Sequence, residues 1–206
     1  MTPIALIDYR AGNLTSVKKA LTAVGAEVFV PASPADMRRA RGIVVPGVGH
    51  FLATTAIDAP WIAAIRALLD GGRPLLGICL GMQWLYEGSE EAPDCPGLAV
   101  LSGRCFRLRG SSSPERLKVP HVGWNALDRR RDDTIADGVP DQSQVYFTHS
   151  FVAPVTADTV AETSHGEAFA SIVQRGRIAG VQFHPEKSGD VGLRILRNFV
   201  NGATRE

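Results

Sequence analysis

Cys79 stands in the stretch Gly77-Ile78-Cys79-Leu80-Gly81-Met82-Gln83, between two glycines and where an apolar run ends. A buried structural thiol needs no glycine on either side. A nucleophile on a sharp strand-to-helix turn does, because side chains at the flanking positions would meet neighbouring backbone. Such a turn also sets the thiol at a helix N-terminus, but the dipole alone falls short. It contributes roughly 0.3–1 kcal/mol to an anion, whereas lowering a cysteine pKa of about 8.5 by one unit takes about 1.4 kcal/mol. A histidine partner is required. Taken by itself, the stretch also fits a small buried hydrophobe beside packing glycines. Cys95 and Cys105 lack the flanking glycines and read as structural.

Among His50, His121, His149, His165 and His184, only His184 stands two residues before a carboxylate at the end of an apolar strand, in Gly180-Val181-Gln182-Phe183-His184-Pro185-Glu186. Alternate strand residues share a face, so His184 and Glu186 are expected to project together. Pro185 holds His184 in the extended region, which favours that projection. A carboxylate on one ring nitrogen fixes the tautomer and stabilises the imidazolium, leaving the other nitrogen for the thiol. Cys79, His184 and Glu186 are the expected catalytic set. Read instead as metal ligands, His184 and Glu186 lack a third ligand at a recognisable spacing, and no metal is expected. Acyl transfer also needs an oxyanion hole. The Leu80 amide, next after the nucleophile, is one expected donor. The glycine-containing loop at the end of Val44-Val45-Pro46-Gly47-Val48-Gly49-His50-Phe51 is the expected source of the second.

These groups need a scaffold. Residues 4–8 form a short apolar run, and 14–26 repeat apolar residues at helical spacing between a candidate cap at Asn13 and a stop at Gly25. Strands are predicted at 27–30, 41–47 and 73–78, with an amphipathic helix over 60–72 and a helical stretch after Cys79. Alternating strands and helices of this kind predict an α/β fold: an open, mostly parallel sheet with helices on both faces. Beyond Glu91, strand-like pieces follow one another (103–108, 143–151 and a hairpin over 168–186 turning at Arg175-Gly176) before a final helix over 190–202. They predict an antiparallel extension in the C-terminal half. No repeat or linker divides residues 1–206, so one domain is expected.

Composition narrows the classes further. The net charge is +1, which gives no reason to expect nucleic acid or an anionic membrane as partner. The basic clusters Arg38, Arg39, Arg41 and Arg129, Arg130, Arg131 lack interleaved aromatics and read as solvated faces or a docking surface. Three cysteines without a C-x-x-C spacing suggest neither a disulfide framework nor a zinc knuckle, which fits a reducing cytoplasm. The N-terminus shows no leader pattern and no apolar run approaches transmembrane length, so a soluble cytoplasmic protein is expected.

Taken together, residues 77–83 and 183–186, with 7–21, 45–51, 79–91, 118–125, 146–151 and 180–188, resemble the class I, triad-type glutamine amidotransferases. They are most similar to the branch of glutaminase subunits that serve imidazole glycerol phosphate synthase. The resemblance implies the flavodoxin-like amidotransferase fold and hydrolysis of glutamine through a cysteine thioester. Cys79 would be the nucleophile, His184 the acid and base, and Glu186 its orienting carboxylate. It implies Gly47 and Val48 on the loop side of the oxyanion hole. Gln83, Glu91 and the backbone of His149, Ser150 and Phe151 would hold glutamine. Lys118, Pro120, Trp124, Asn125 and Lys187 would face a cyclase subunit in a heterodimer that takes up the ammonia in histidine biosynthesis. No cofactor is implied.

A tryptophan in a globular chain is more often core than gate, so burial is the default expectation for Trp124. Likewise His121 and His149 read as hydrogen-bonded structural histidines. Arg10 replaces a glycine and Phe151 a tyrosine of the family pattern. A different synthase partner, a free-standing cysteine hydrolase on the same elbow, and a non-catalytic binding module are the competing readings.

Overall fold

A computed structural model describes residues 1–110 and 117–204. The chain opens with β1 (Thr2–Leu6), α1 (Leu14–Ala23), β2 (Ala26–Phe29), β3 (Gly42–Val45), α2 (Ala59–Asp70), β4 (Leu75–Ile78) and the short α3 (Leu80–Trp84). The expected cap is in place, with the Asn13 side chain accepting from the Ser16 amide; Asp58, not singled out in the sequence, does the same for Trp61 at the start of α2. Then come β5 (Gly88–Ser89), β6 (Ala92–Pro96), β7 (Arg104–Arg107), β8 (His121–Ala126), β9 (Asp128–Arg129), β10 (Gln144–His149) and β11 (Phe151–Val152). The last elements are β12 (Thr159–Ser164), β13 (Ala168–Arg175), β14 (Ile178–Val181) and α4 (Gly189–Thr204).

The main sheet has eight strands in the order β2-β1-β3-β4-β14-β13-β12-β9. From β2 to β14 every pairing is parallel; from β14 to β9 every pairing is antiparallel. Period-two alternation splits the strand side chains between two cores. Ile4, Leu6, Val44, Leu76 and Ile78 pack with α1 and α4 on one face. Ala5, Ile7, Ile43, Val45 and Leu75 pack with α2 and α3 on the other. This is the mostly parallel sheet with an antiparallel extension expected from the sequence, with helices on both faces.

Some details differ from the sequence expectations. The hairpin turn falls between Arg175 and Ile178, one residue later than expected. The outer arm β14 is not a sheet edge: it inserts beside β4, with Val181 in register with Ile78. Arg129, Arg130 and Arg131 are not merely solvated. They pair with Asp132, Glu162 and Asp133, and Arg131 also donates to the Gln174 carbonyl at 2.6 Å. Among the described residues, no helix is long and apolar enough to cross a membrane.

Candidate active site

The insertion of β14 beside β4 builds the site, because it sets the ends of two parallel strands side by side. Cys79 follows β4 directly, and its amide donates to the Val181 carbonyl at the end of β14 at 2.7 Å. Its backbone has φ 53° and ψ −108°, a left-handed conformation that costs a non-glycine residue of order 1–3 kcal/mol. The flanking glycines are sterically required. A methyl on Gly81 would lie 1.8 Å from the Val45 carbonyl oxygen, and one on Gly77 would lie 2.6 Å from the Gly81 carbonyl oxygen. The elbow is thus wedged against the end of β3.

His184 and Glu186 meet, though not by strand alternation. β14 ends at Val181, and Pro185–Lys187 form a single 3-10 turn with His184 as its extended N-cap residue, φ −97° and ψ 98°. The turn brings the Glu186 carboxylate back to His184 Nδ1 at 2.9 Å, with the two side chains 3% and 2% exposed. The β10 strand holds the segment in place. The His184 amide donates to the Tyr146 carbonyl at 2.9 Å, and Ser188 Oγ, which donates to the His184 carbonyl at 2.7 Å, accepts from the Tyr146 amide.

Burial opposes the His184 imidazolium, but hydrogen bonding and charge from Cys79 and Glu186 outweigh it and push the pKa up to about 10. His184 Nε2 is buried and turned to the Cys79 side, though no hydrogen bond of ordinary geometry closes to the sulfur. A second donor reaches the thiol from β14's extension: Gln182 Nε2 lies 3.6 Å from Cys79 Sγ. Gln182 escaped the sequence reading, although it sits two residues before His184 and shares the alternation used there.

The oxyanion elements are together but closed. The Leu80 amide, an expected oxyanion donor, is engaged by the Gly47 carbonyl at 3.3 Å. Tyr9, also missed in the sequence, lies against this loop. A methyl on Gly47 would be 1.9 Å from the Tyr9 hydroxyl oxygen and 2.9 Å from Leu80 Cβ.

Around this centre, Gln83 Nε2 donates to the Phe151 carbonyl at 2.8 Å and to Gln182 Oε1 at 3.2 Å, which joins two of the expected substrate-side segments to the residue beside the thiol. One Glu91 oxygen accepts from the Phe51 amide at 2.7 Å, tying the carboxylate to the far end of the oxyanion loop. His149 is buried and Ser150 and Phe151 half-buried. The rings of His149 and His121 bond through nitrogens 3.2 Å apart. Burial, with the neighbouring histidines, pushes His121 down to about 4 and His149 down to about 3, so both are neutral near pH 7. The expected hydrogen bonding of these two histidines is thus to each other. The Cys105 thiol is pushed up by burial, and Cys95 is buried as well.

The expected partner-facing residues divide. Lys118, Pro120, Trp124 and Lys187 are exposed. Trp124, expected to be core, is 57% exposed because β8 turns its outer face away from the sheet sandwich. It packs edge-on to Tyr146 at 6.1 Å, and Lys187 Nζ lies 5.6 Å from the same ring. Asn125 differs from the rest: it is half-buried, and its amide donates to the Ser164 carbonyl at 3.0 Å. Arg10 has a left-handed backbone, φ 62°, the region that favours glycine, with its amide bonded to the Asp8 carboxylate at 2.8 Å. Among the described residues, no group of three or more His, Cys, Asp or Glu side chains has metal-holding geometry.

A cysteine on a strained elbow, faced by a histidine–carboxylate pair on the turn that follows the adjacent strand of a mostly parallel sheet, defines a class of enzyme. The family model for class I glutamine amidotransferases matches residues 5–203, and the chain belongs to that family. Within it, the chain is similar to imidazole glycerol phosphate synthase subunits HisH. It is 44% identical to that of Moorella thermoacetica, covering 97% of this chain and 94% of the relative. It is 42% identical to that of Methanosarcina barkeri (98% and 99% covered) and 41% to that of Bacillus cereus (95% and 93%). Among solved structures, a glutamine amidotransferase superposes with TM-score 0.74 at 19% identity, over 98% of this chain and 99% of that one. PurLQS from Thermotoga maritima superposes with TM-score 0.75 at 17% identity, over 97% and 98%. At these identities the superpositions speak to the fold alone.

Proposed function

We propose that the chain is the glutaminase subunit of imidazole glycerol phosphate synthase, hydrolysing glutamine at Cys79 and passing ammonia to a cyclase subunit in a heterodimer. Residues 1–206 act as one glutaminase unit in the cytoplasm. The Cys79 thiolate attacks the side-chain amide carbon, and the carbonyl π electrons move to oxygen. Collapse of the tetrahedral intermediate breaks the C–N bond. The nitrogen leaves as ammonia with a proton from His184, and a glutamyl thioester remains on Cys79. His184 then takes a proton from water, the hydroxide displaces the thiolate, and glutamate is released. Glu186 holds the imidazole in register throughout. Gln83, Glu91 and the backbone of His149, Ser150 and Phe151 hold the substrate.

Oxyanion stabilisation requires the Leu80 amide to leave the Gly47 carbonyl. Turning over the Gly47–Val48 peptide does this and brings the Val48 amide round as second donor. The Leu80–Gly47 bond therefore favours an enzyme that idles until a partner acts on the loop, and disfavours a free-standing hydrolase. Idling is chemically useful, since ammonia released into neutral water becomes ammonium and loses its nucleophilicity. The exposed Trp124, Lys187, Lys118 and Pro120, with half-buried Asn125 behind them, form the docking face for the cyclase. There the ammonia is consumed in making imidazole glycerol phosphate and aminoimidazole carboxamide ribotide.

The observation that carries this reading is the buried His184–Glu186 pair facing an elbow cysteine, with His184 held cationic to about pH 10. The test is glutamate release by the complex with cyclase and its acceptor ligand. Cys79→Ala abolishes it; retention of the rate would overturn the assignment.

A further inference from the structure

Tyr9 lies on the loop between β1 and α1, outside the catalytic set, and its hydroxyl abuts Gly47. Its ring is 4% exposed and its hydroxyl is buried without a hydrogen-bond partner. Buried hydroxyls are nearly always paired, so an orphan calls for a partner present in another state. Burial, reinforced by the nearby Cys79, raises the Tyr9 pKa and keeps the group neutral, hence a donor.

The geometry supplies the candidate acceptor. The hydroxyl oxygen lies 1.9 Å from where a Gly47 Cβ would stand, which puts it within about 3.4 Å of Gly47 Cα. The loop also touches Gly47 from a second side, where a Cβ on Gly12 would be 3.2 Å from Gly47 Cα and 3.6 Å from the Val48 nitrogen. The Gly47 carbonyl is now bonded to Leu80 at 3.3 Å. Its oxygen is about 2.4 Å from Cα by bond geometry, so rotation about the Cα–C bond swings it around the same Cα that the hydroxyl borders.

We propose that Tyr9 is a positioning residue: its hydroxyl donates to the Gly47 carbonyl once the Gly47–Val48 peptide has turned over, and so stabilises the loop with the oxyanion site open. The orphan of the closed form becomes a paired group in the open form, which lowers the cost of opening. No bond is made or broken in this step. The proposal rests on the glutaminase reading above, in which the open loop is the working one.

The test is Tyr9→Phe, which removes one oxygen and keeps the ring. In the full complex with cyclase and acceptor ligand, kcat for glutamine hydrolysis is expected to fall about tenfold, the value of one hydrogen bond. The KM for glutamine is expected to stay within twofold. The rate of Cys79 alkylation by iodoacetamide, a displacement that develops no oxyanion, is also expected to stay within twofold. An unchanged kcat overturns the proposal. So does a parallel fall in kcat and alkylation, which would make Tyr9 a support for the thiol instead of the loop. A wild-type complex that releases no glutamate would defeat the glutaminase reading itself, an outcome distinguishable from an active wild type that Tyr9→Phe merely matches.

Discussion

Replacing Glu186 by Gln keeps shape and removes one charge from a pair buried to within a few per cent of completely. The bond lost is charge-assisted, 2.9 Å long and shielded from water, worth about 1.5–3 kcal/mol. At about 1.4 kcal/mol per pKa unit, this brings His184 down from about 10 to roughly 8–9. The sign follows from linkage. A histidine whose folded pKa exceeds its unfolded 6.5 adds stability that is complete below 6.5 and disappears as pH rises through the folded value. Wild type therefore keeps some of that contribution until about pH 10, and the variant loses it earlier. The stability gap between them is widest below about pH 8 and closes toward pH 10. Near neutrality His184 remains cationic in both, so the catalytic effect comes through orientation. Once His184 has given up its proton, a glutamine amide can donate to Nδ1 and select the wrong tautomer of the neutral ring, so kcat is expected to fall at least about a hundredfold. Ring-nitrogen NMR titration of His184 reads the pKa, and glutamate release in the complex reads kcat. If His184 still titrates near 10 and kcat stays within threefold, the view that Glu186 holds the imidazolium is refuted.

Two further perturbations probe the loop and the docking face. Arg10→Gly relieves a left-handed backbone at φ 62° that costs about 1–2 kcal/mol, against about 0.5–1 kcal/mol of added chain entropy. Thermal unfolding is expected to shift upward by a few degrees, and a downward shift would show that the Arg10 side chain does structural work. Trp124→Ala removes a side chain 57% exposed, so stability is expected to change by less than about 1 kcal/mol. Calorimetric affinity for the cyclase is expected to drop at least about tenfold, and unchanged affinity would remove Trp124 from the docking face.

The first half of the fold was legible because its signals are local. Strands such as Gly42–Val45 and Leu75–Ile78 are wholly buried and read as continuous apolar runs, and Asn13 marks a helix start. The C-terminal half was less so. In β8 the apolar Val122 and Trp124 point outward, 57% exposed each, so hydropathy argues the wrong face and no strand was read there. β12, Thr-Val-Ala-Glu-Thr-Ser, buries both threonines, which composition does not announce. The parallel pairing of β14 with β4 has no local signature at all. Cys79, His184 and Glu186 were picked out by residue type and spacing, yet the meeting of the last two was ascribed to a strand where a 3-10 turn does the work. Tyr9 and Gln182 went unnoticed because their significance lies in what the fold brings against them.

That same pairing has a consequence for how the enzyme comes into being. Gln182 and Cys79, in contact in the folded chain, are separated by 103 residues. At about 5–20 residues per second of synthesis, the elbow leaves the ribosome several seconds or more before the strand that carries its histidine. During that interval β4 has an unfilled edge and Cys79 has neither the Val181 carbonyl for its amide nor an imidazole for its thiol. A nascent or truncated chain is thus chemically mute. Completion of the central strand order and assembly of the thiol with its imidazole are therefore one event.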